Sequence, residues 1–231
     1  MIDWRPIRLV AFDVDGTLYA QRPLRLKMLA ALGRHSIRSR SLRTFAVLQS
    51  YRTIREELGD AETAEFDDVL LAKVGQRHGL PPAEVSRHVA EWMEKRPLES
   101  LAGCRYPAVD RLFDRIKRSG RMIGVLSDYP SRAKIEALGL RADHQISASD
   151  VGLLKPHPRG LQRLMELAGA APSETVLIGD RQDRDGEAAR RAGCACLLRS
   201  DKPIPDAITF KRFDDPLFDG LDEQGTIEAV A

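Results

Sequence analysis

Short apolar runs that each end on a polar or acidic residue recur along this chain, separated by stretches of helical periodicity. Residues 7–12 (IRLVAF) lead into Asp13. Residues 122–126 (MIGVL) lead into Ser127 and Asp128, and residues 175–178 (TVLI) lead through Gly179 into Asp180. Residues 145–147 and 195–198 read as further strands, and 207–210 as an edge strand. Runs this short and continuous are expected of strands buried on both faces. Between them lie helical patterns at 108–119, 131–138, 159–168 and 186–192, followed by Gly120, Gly139, Gly169 and Gly193. Glycine just past a helix accepts the left-handed conformation that ends it. The fold class expected is α/β, a Rossmann-like doubly wound parallel sheet.

One segment breaks this alternation. From Pro23 to about Glu99 no strand pattern occurs, and apolar residues recur at helical spacing, as in Leu42, Phe45, Ala46 and Leu48. Breaks fall near Gly59-Asp60 and at residues 79–82 (GLPP). The chain of 231 residues therefore divides into a core from residues 1–19 and 103–231 and an inserted α-helical cap domain at 20–102.

Composition narrows the function classes. Hydrophobic residues at 43% and charged residues at 30% exclude disorder as the main state. A net charge of +2 gives no global case for nucleic-acid binding. No apolar run approaches the roughly 20 residues of a membrane span, and residues 1–9 contain no apolar signal region. Cys104, Cys194 and Cys196 are an odd number with no accompanying histidines, so they read as reduced structural thiols and the expected location is cytoplasmic.

The chemistry-bearing residues all follow strands. Asp13 and Asp15 end the first, Ser127 and Asp128 the second, Lys155 follows the short third, and Asp180, Asp183 and Asp185 follow TVLIG. Ligand crevices in open α/β sheets form at those strand ends. Taken singly, each residue has an ordinary role as a turn, cap or surface residue. Together they form a carboxylate cluster whose members repel one another unless a cation offsets them. Mg²⁺ takes oxygen ligands, and Asp13 and Asp180 are its natural holders. A carboxylate can attack phosphorus. Lys155, Ser127 and backbone N–H groups near Gly16 supply the positive charge and donors that a phosphoryl group requires. Asp15 can protonate a leaving oxygen and later take a proton from water. Gly16 permits the tight turn that keeps Asp13 and Asp15 in one crevice.

Four ordered motifs, DVDGTL (Asp13, Asp15), VLSD (Ser127), LLKPHP (Lys155) and IGDRQDRD (Asp180, Asp185), resemble those of the haloacid dehalogenase superfamily, in its phosphatase-like branch with a helical cap. The resemblance covers residues 7–19 and 103–200. It implies that Asp13 is nucleophile and metal ligand, and that Asp15 is general acid/base with its backbone carbonyl on Mg²⁺. Ser127 and Lys155 hold phosphoryl oxygens. Asp180 binds the metal, and Asp185 holds a metal-bound water or orients Lys155, with Asp183 as the substitute for Asp185. Thr17 shapes the loop beneath the nucleophile. Asp128 departs from the pattern, since relatives carry a small polar residue there. Its expected role is through its backbone, its acid turned away or paired with a cation such as Arg132. His157 reads as a loop histidine.

The presence of Asp15 argues against attack at carbon, and no lysine of the cap sits in a Schiff-base motif. The function expected is Mg²⁺-dependent hydrolysis of a small phosphomonoester through an aspartyl-phosphate, of the phosphoglycolate phosphatase kind. A sugar-phosphate mutase and a non-catalytic binding protein are the alternatives, and the presence of Asp13, Asp15, Lys155 and Asp180 opposes the second.

The cap is unevenly charged. Residues 21–55 hold nine Lys/Arg and no Asp/Glu, whereas 56–99 is acidic on balance. Two helical faces pairing with each other would explain this. A basic lid steering an anionic substrate would as well, with Arg22, Arg25 and Arg43 as its candidate contacts. Only Phe45 and Tyr51 interleave with the charges, so a nucleic-acid surface is unsupported. Near the end, residues 202–205 read as a loop. Phe210, Phe213, Leu217 and Phe218 read as packing on the sheet edge, and residues 224–231 as fraying.

Overall fold

The computed structural model describes residues 2–222. Its centre is a six-stranded sheet, all parallel, in the order β3-β2-β1-β4-β5-β6. The strands are β1 (Leu9–Phe12), β2 (Met122–Ser127), β3 (His144–Ser147), β4 (Thr175–Gly179), β5 (Ala195–Arg199) and β6 (Ile208–Phe210). The chain builds outward from β1 to β3 and then returns to add β4 on the other side. That reversal leaves a crevice at the carboxyl ends of β1, β2 and β4.

Alternation along β1 explains its unbroken apolar run. Val10 and Phe12 face one layer, where they meet Val109, Leu112, Phe113 and Ile116 of α6 (Val109–Arg118). The rings of Phe12 and Phe113 lie 4.7 Å apart. Leu9 and Ala11 face the opposite layer, packed on Leu161, Leu164 and Met165 of α9 (Arg159–Ala168) and Ala189 of α10 (Glu187–Ala192). Both faces are covered, so both parities must be apolar. β6 is the edge strand expected, and Phe210, Phe213 and Phe218 are buried beside Trp4. Leu217 is partly buried against the same cluster. Arg121 closes this end of the molecule. Its guanidinium donates to the carbonyls of Trp4, Ile7 and Leu221 at 2.7–3.0 Å.

The helical insertion comprises α1 (Gln21–Ser39), α2 (Arg43–Asp60), α3 (Phe66–His78), α4 (Pro82–Val89) and α5 (Arg96–Leu101), with a π-type turn at Ala90–Lys95. Its own core gathers Val47, Leu48, Tyr51, Ile54, Phe66, Leu70, Val74, Val85 and Trp92. The breaks read near residues 59–60 and 79–82 are the α2–α3 and α3–α4 turns.

Differences from the sequence reading are local. β1 begins at Leu9, because Ile7 belongs to a turn whose N–H bonds the Trp4 carbonyl. α7 spans Arg132–Ala137, one residue shorter at each end than read. A short helix that the pattern did not reveal, α8 (Ala148–Val151), starts where Ser147 and Asp150 form a reciprocal capping box. The last helix starts at Glu187, since residues Gln182–Gly186 form a π-type turn. Cys194 and Cys196 are partly buried against the α9–α10 layer, and burial pushes the Cys194 thiol up to about 12. Residues 224–231, read as fraying, lie outside the described residues. Among the described residues, no helix is long and apolar enough to cross a membrane.

Candidate active site

The crevice is assembled from backbone outward. Asp13 extends β1 by one ladder bond, its N–H donating to the Ile178 carbonyl at 2.9 Å. Its carboxylate is buried, and Thr17 donates its hydroxyl to Oδ2 at 2.9 Å. The chain then turns at Gly16, whose φ of 108° lies in the region that only glycine adopts freely. A Cβ there would sit 2.1 Å from Asp180 Oδ2, so the same glycine admits the carboxylate from β4.

Lys155 reaches the centre of this group. Its Nζ donates to Asp13 Oδ1 at 2.5 Å and to Asp185 Oδ1 at 2.6 Å. Asp185 Oδ2 accepts the N–H groups of Asp180 (3.1 Å) and Arg181 (3.0 Å), which folds the turn after β4 around one carboxylate. Gly179 makes room for it, because a Cβ there would lie 2.4 Å from the Asp185 side chain. Asp13, Asp180 and Asp185 each bring a carboxylate oxygen within 4.8 Å of the others. Ser127, at the end of β2, is buried and accepts the Tyr129 N–H at 3.2 Å.

Charge is unbalanced here. Burial pushes the pKa of Asp13 well above the carboxylate range; Lys155 opposes this, and Asp185 and Asp180 add to it. Burial, with Asp185 beside it, raises Asp180 to about 6. Burial alone would lower the Lys155 ammonium, but Asp13 and Asp185 outweigh it and hold its pKa well above the usual value. Three carboxylates face one ammonium. A second cation with oxygen affinity fits that deficit, and the carboxylate donors suit a hard divalent ion of the Mg²⁺ kind. The donors present fit it.

Asp15 belongs to a separate pair. Lys134 of α7 brackets its carboxylate with Nζ at 2.6 and 2.7 Å, and the Tyr19 hydroxyl donates to it as well. Burial would raise this carboxyl, yet Lys134 prevails and holds it below the usual range. The Asp15 backbone carbonyl accepts the Gln21 side-chain amide and keeps a second lone pair.

The remaining sequence candidates separate cleanly. Asp183 is exposed and turned onto Arg181, so it does not substitute for Asp185. The Asp128 carboxylate is bound to backbone: its Oδ1 accepts the Lys155 backbone N–H at 3.1 Å, and its carbonyl accepts Arg55. Among the described residues it pairs with these and not with Arg132. His157 accepts the Arg159 N–H at the start of α9, the role of a loop histidine. Arg43 is engaged within the cap. Its guanidinium donates to the carbonyls of His78 and Gly79 at 3.0 and 3.4 Å, where α3 ends with orphan acceptors. Arg25 is exposed on α1 and donates to Gln21, the residue seated on Asp15; Arg22 is also exposed.

Four side chains escaped the sequence reading. Lys134 shares a helix face with Leu138, and a lysine on a buried stripe is the signal that marks a buried anion nearby. Tyr19 lies one turn after Asp15. Arg55, on α2 of the cap, has its guanidinium 4.3 Å from the Tyr129 ring centre and 4.7 Å from that of Phe66. Arg184 is buried between the π-type turn and α2, donating to the Lys155 carbonyl at 2.9 Å, Glu56 at 2.8 Å and Asp60 at 2.5 Å. The cap's acidic residues Glu56, Asp60 and Glu62 thus pair with core arginines 181, 184 and 191, not with the cap's own basic stretch.

The chain is similar to known proteins. The glyceraldehyde 3-phosphate phosphatase of Methanopyrus kandleri is 26% identical over 222 residues, covering 87% of this chain and 91% of that protein. A phosphoglycolate phosphatase of Xylella fastidiosa is 28% identical over 200 residues, covering 83% and 79%. Among solved structures, a 2-haloacid dehalogenase from Pseudomonas syringae superposes with a TM-score of 0.66 at 23% identity, covering 94% of this chain and 99% of that one. A phosphatase of the same superfamily from Thermococcus onnurineus superposes at 0.56 and 17%, covering 90% and 94%. These structures share the fold. The family model for haloacid dehalogenase-like hydrolases matches residues 7–193, from the strand that carries Asp13 to the end of the helix after Asp185, and the chain belongs to that family.

Proposed function

We propose that this chain hydrolyses a small phosphomonoester, with Asp13 as the nucleophile and Mg²⁺ as cofactor. One observation carries the reading: Asp13 lies buried at the sheet's switch point with Lys155 at 2.5 Å, while a second carboxyl, Asp15, is held apart from that cluster on Lys134. Two carboxyls in different environments suit two roles, attack and proton transfer. Relatives named as phosphoglycolate and glyceraldehyde 3-phosphate phosphatases support the substrate class, a small phosphorylated metabolite.

In this reading the Asp13 carboxylate attacks phosphorus, and Lys155 and Ser127 hold phosphoryl oxygens. Asp15 gives a proton to the leaving oxygen and later receives one from the attacking water. Asp185 keeps Lys155 aimed at Asp13. Asp13, Asp180 and Asp185, with the Asp15 carbonyl, would hold Mg²⁺. The ion, when bound, offsets the negative charge that a phosphoryl group adds to this cluster. Residues 20–102 act as a cap over a core formed by residues 1–19 and 103–231, excluding water from the crevice. Thiols left free and partly buried agree with a cytoplasmic setting.

Phosphate release from an aryl phosphate, with and without Mg²⁺, tests this. The wild type should turn over only with the metal, and Asp13→Asn should lose at least about a thousandfold. Turnover that survives in Asp13→Asn would overturn the assignment.

A further inference from the structure

A general acid can deliver its proton only from one of two oxygens and along one direction. Asp15 is therefore defined as much by what holds it as by where it sits. Lys134 holds it, from α7 and 119 positions along the chain. The ammonium lies 2.6 Å from Oδ1 and 2.7 Å from Oδ2, so it fixes the plane of the carboxyl. Both partners are largely withdrawn from solvent, with side-chain exposures of 8% and 19%. Tyr19 donates its hydroxyl to Oδ1 as well. Oδ1 thus receives two donors and Oδ2 one. The Tyr129 ring packs beside the ammonium, its centre 5.2 Å from Nζ. Lys134 also lines a cavity of about 330 Å³ with Glu94, Lys95 and Leu98 of the cap.

We infer that Lys134 is the positioning residue for proton transfer, holding the Asp15 carboxyl in one plane and one orientation. The inference rests on the phosphomonoesterase reading. Among the described residues, Lys134 donates hydrogen bonds to Asp15 alone, so its effect on the reaction passes through that carboxyl. In the first half-reaction the Asp13–phosphorus bond forms as the bond to the leaving oxygen breaks. That oxygen keeps the electron pair and takes the proton from the Asp15 carboxyl. Asp15 is left as the carboxylate, with Lys134 and Tyr19 arranged as in this structure. In the second half-reaction water bonds phosphorus, the pair of the breaking bond returns to Asp13, and the water's proton passes to Asp15.

Proton delivery matters in proportion to the basicity of the leaving oxygen. A nitrophenolate departs unaided, and an alkoxide does not. The experiment compares wild type, Lys134→Met, Lys134→Arg and Asp15→Asn across a series from nitrophenyl phosphate to alkyl phosphates. Lys134→Met should lose about a hundredfold in kcat on alkyl esters and less than about threefold on nitrophenyl phosphate, with KM nearly unchanged. Asp15→Asn should show the same dependence more steeply, and Lys134→Arg, which keeps a cation there, should recover part of the loss. If Lys134→Met does not fold, Lys134→Gln carries the same comparison. An equal loss across the series, or none, overturns the role of Lys134 while leaving the hydrolase reading intact. A flat series for Asp15→Asn overturns its role as the acid. A folded wild type with no activity on any ester overturns the hydrolase reading and this inference with it.

Discussion

Asp180 shows how a single buried carboxyl couples stability to metal. Its pKa is raised from 3.8 to about 6, so between those values the unfolded chain has lost a proton that the folded chain retains. For this group, stability falls as pH rises through that window and stays reduced above it. A cation bound to the ionised cluster removes the penalty. Mg²⁺ should therefore raise Tm at neutral pH, and the gain should shrink as pH falls below about 6, where the proton competes for the ligand. Thermal melts with Mg²⁺ and with chelator across that range measure it; a pH-independent gain would contradict it. Gly16→Ala belongs to the same cluster. The added methyl would meet Asp180 Oδ2 at 2.1 Å on a backbone with φ of 108°, so this variant should lose the Mg²⁺ response. At this scale Asp13, Asp15, Lys155 and Asp180 were legible because each follows a strand and strand ends converge. Lys134 was not. No motif or strand end marks it, and only the burial of its helix face makes it a partner for Asp15.

Helix α2 reaches the site through its carboxyl-terminal turn. Gly59 lets it approach closely, since a Cβ there would stand 2.8 Å from Arg184 and 3.3 Å from the Lys155 carbonyl. Arg184 fills that slot and bonds both sides. Arg184→Met should cost about 1–3 kcal/mol, because the Lys155 carbonyl loses its buried donor. Denaturant melts would read this, and an unchanged midpoint would refute the clamp. Glu56 pairs with Arg181 and Arg184, which hold its pKa below 4.5 despite the opposing effect of burial. A depressed carboxyl adds stability above its unfolded pKa and loses it as pH falls through the folded one. Glu56→Gln should therefore lower stability at neutral pH, where the charged pair contributes, with the difference from wild type shrinking as pH falls below about 4.5, and it should weaken the dependence on salt. The sequence displayed the uneven charge of the cap but not its partners. Like charges in a run say nothing about which opposite charges they meet: Glu56, Asp60 and Glu62 meet the core, whereas Asp67 meets Arg55 of the basic stretch.

Across the whole molecule, the carboxyl-terminal segment seals the end of the sheet remote from the crevice. Phe218 is fully buried against Trp4 and Phe210, with ring centres 6.0 and 5.0 Å away. Phe218→Ala should cost about 3–5 kcal/mol, since it leaves a cavity in that core. The kcat of the folded fraction should be unchanged, as the aromatic cluster touches none of the site carboxylates. Chemical denaturation together with kinetics separates the two effects. The sequence by itself determined the parallel sheet, the helical insertion and the order of the motifs, because periodicity and strand-end position are local properties of a chain. Tertiary structure decided which charges pair: Lys134 with Asp15, Arg184 with α2, Arg43 with the end of α3. Those choices depend on how helices cross strands far apart in sequence, and burial makes each partner obligatory only once the layers are packed.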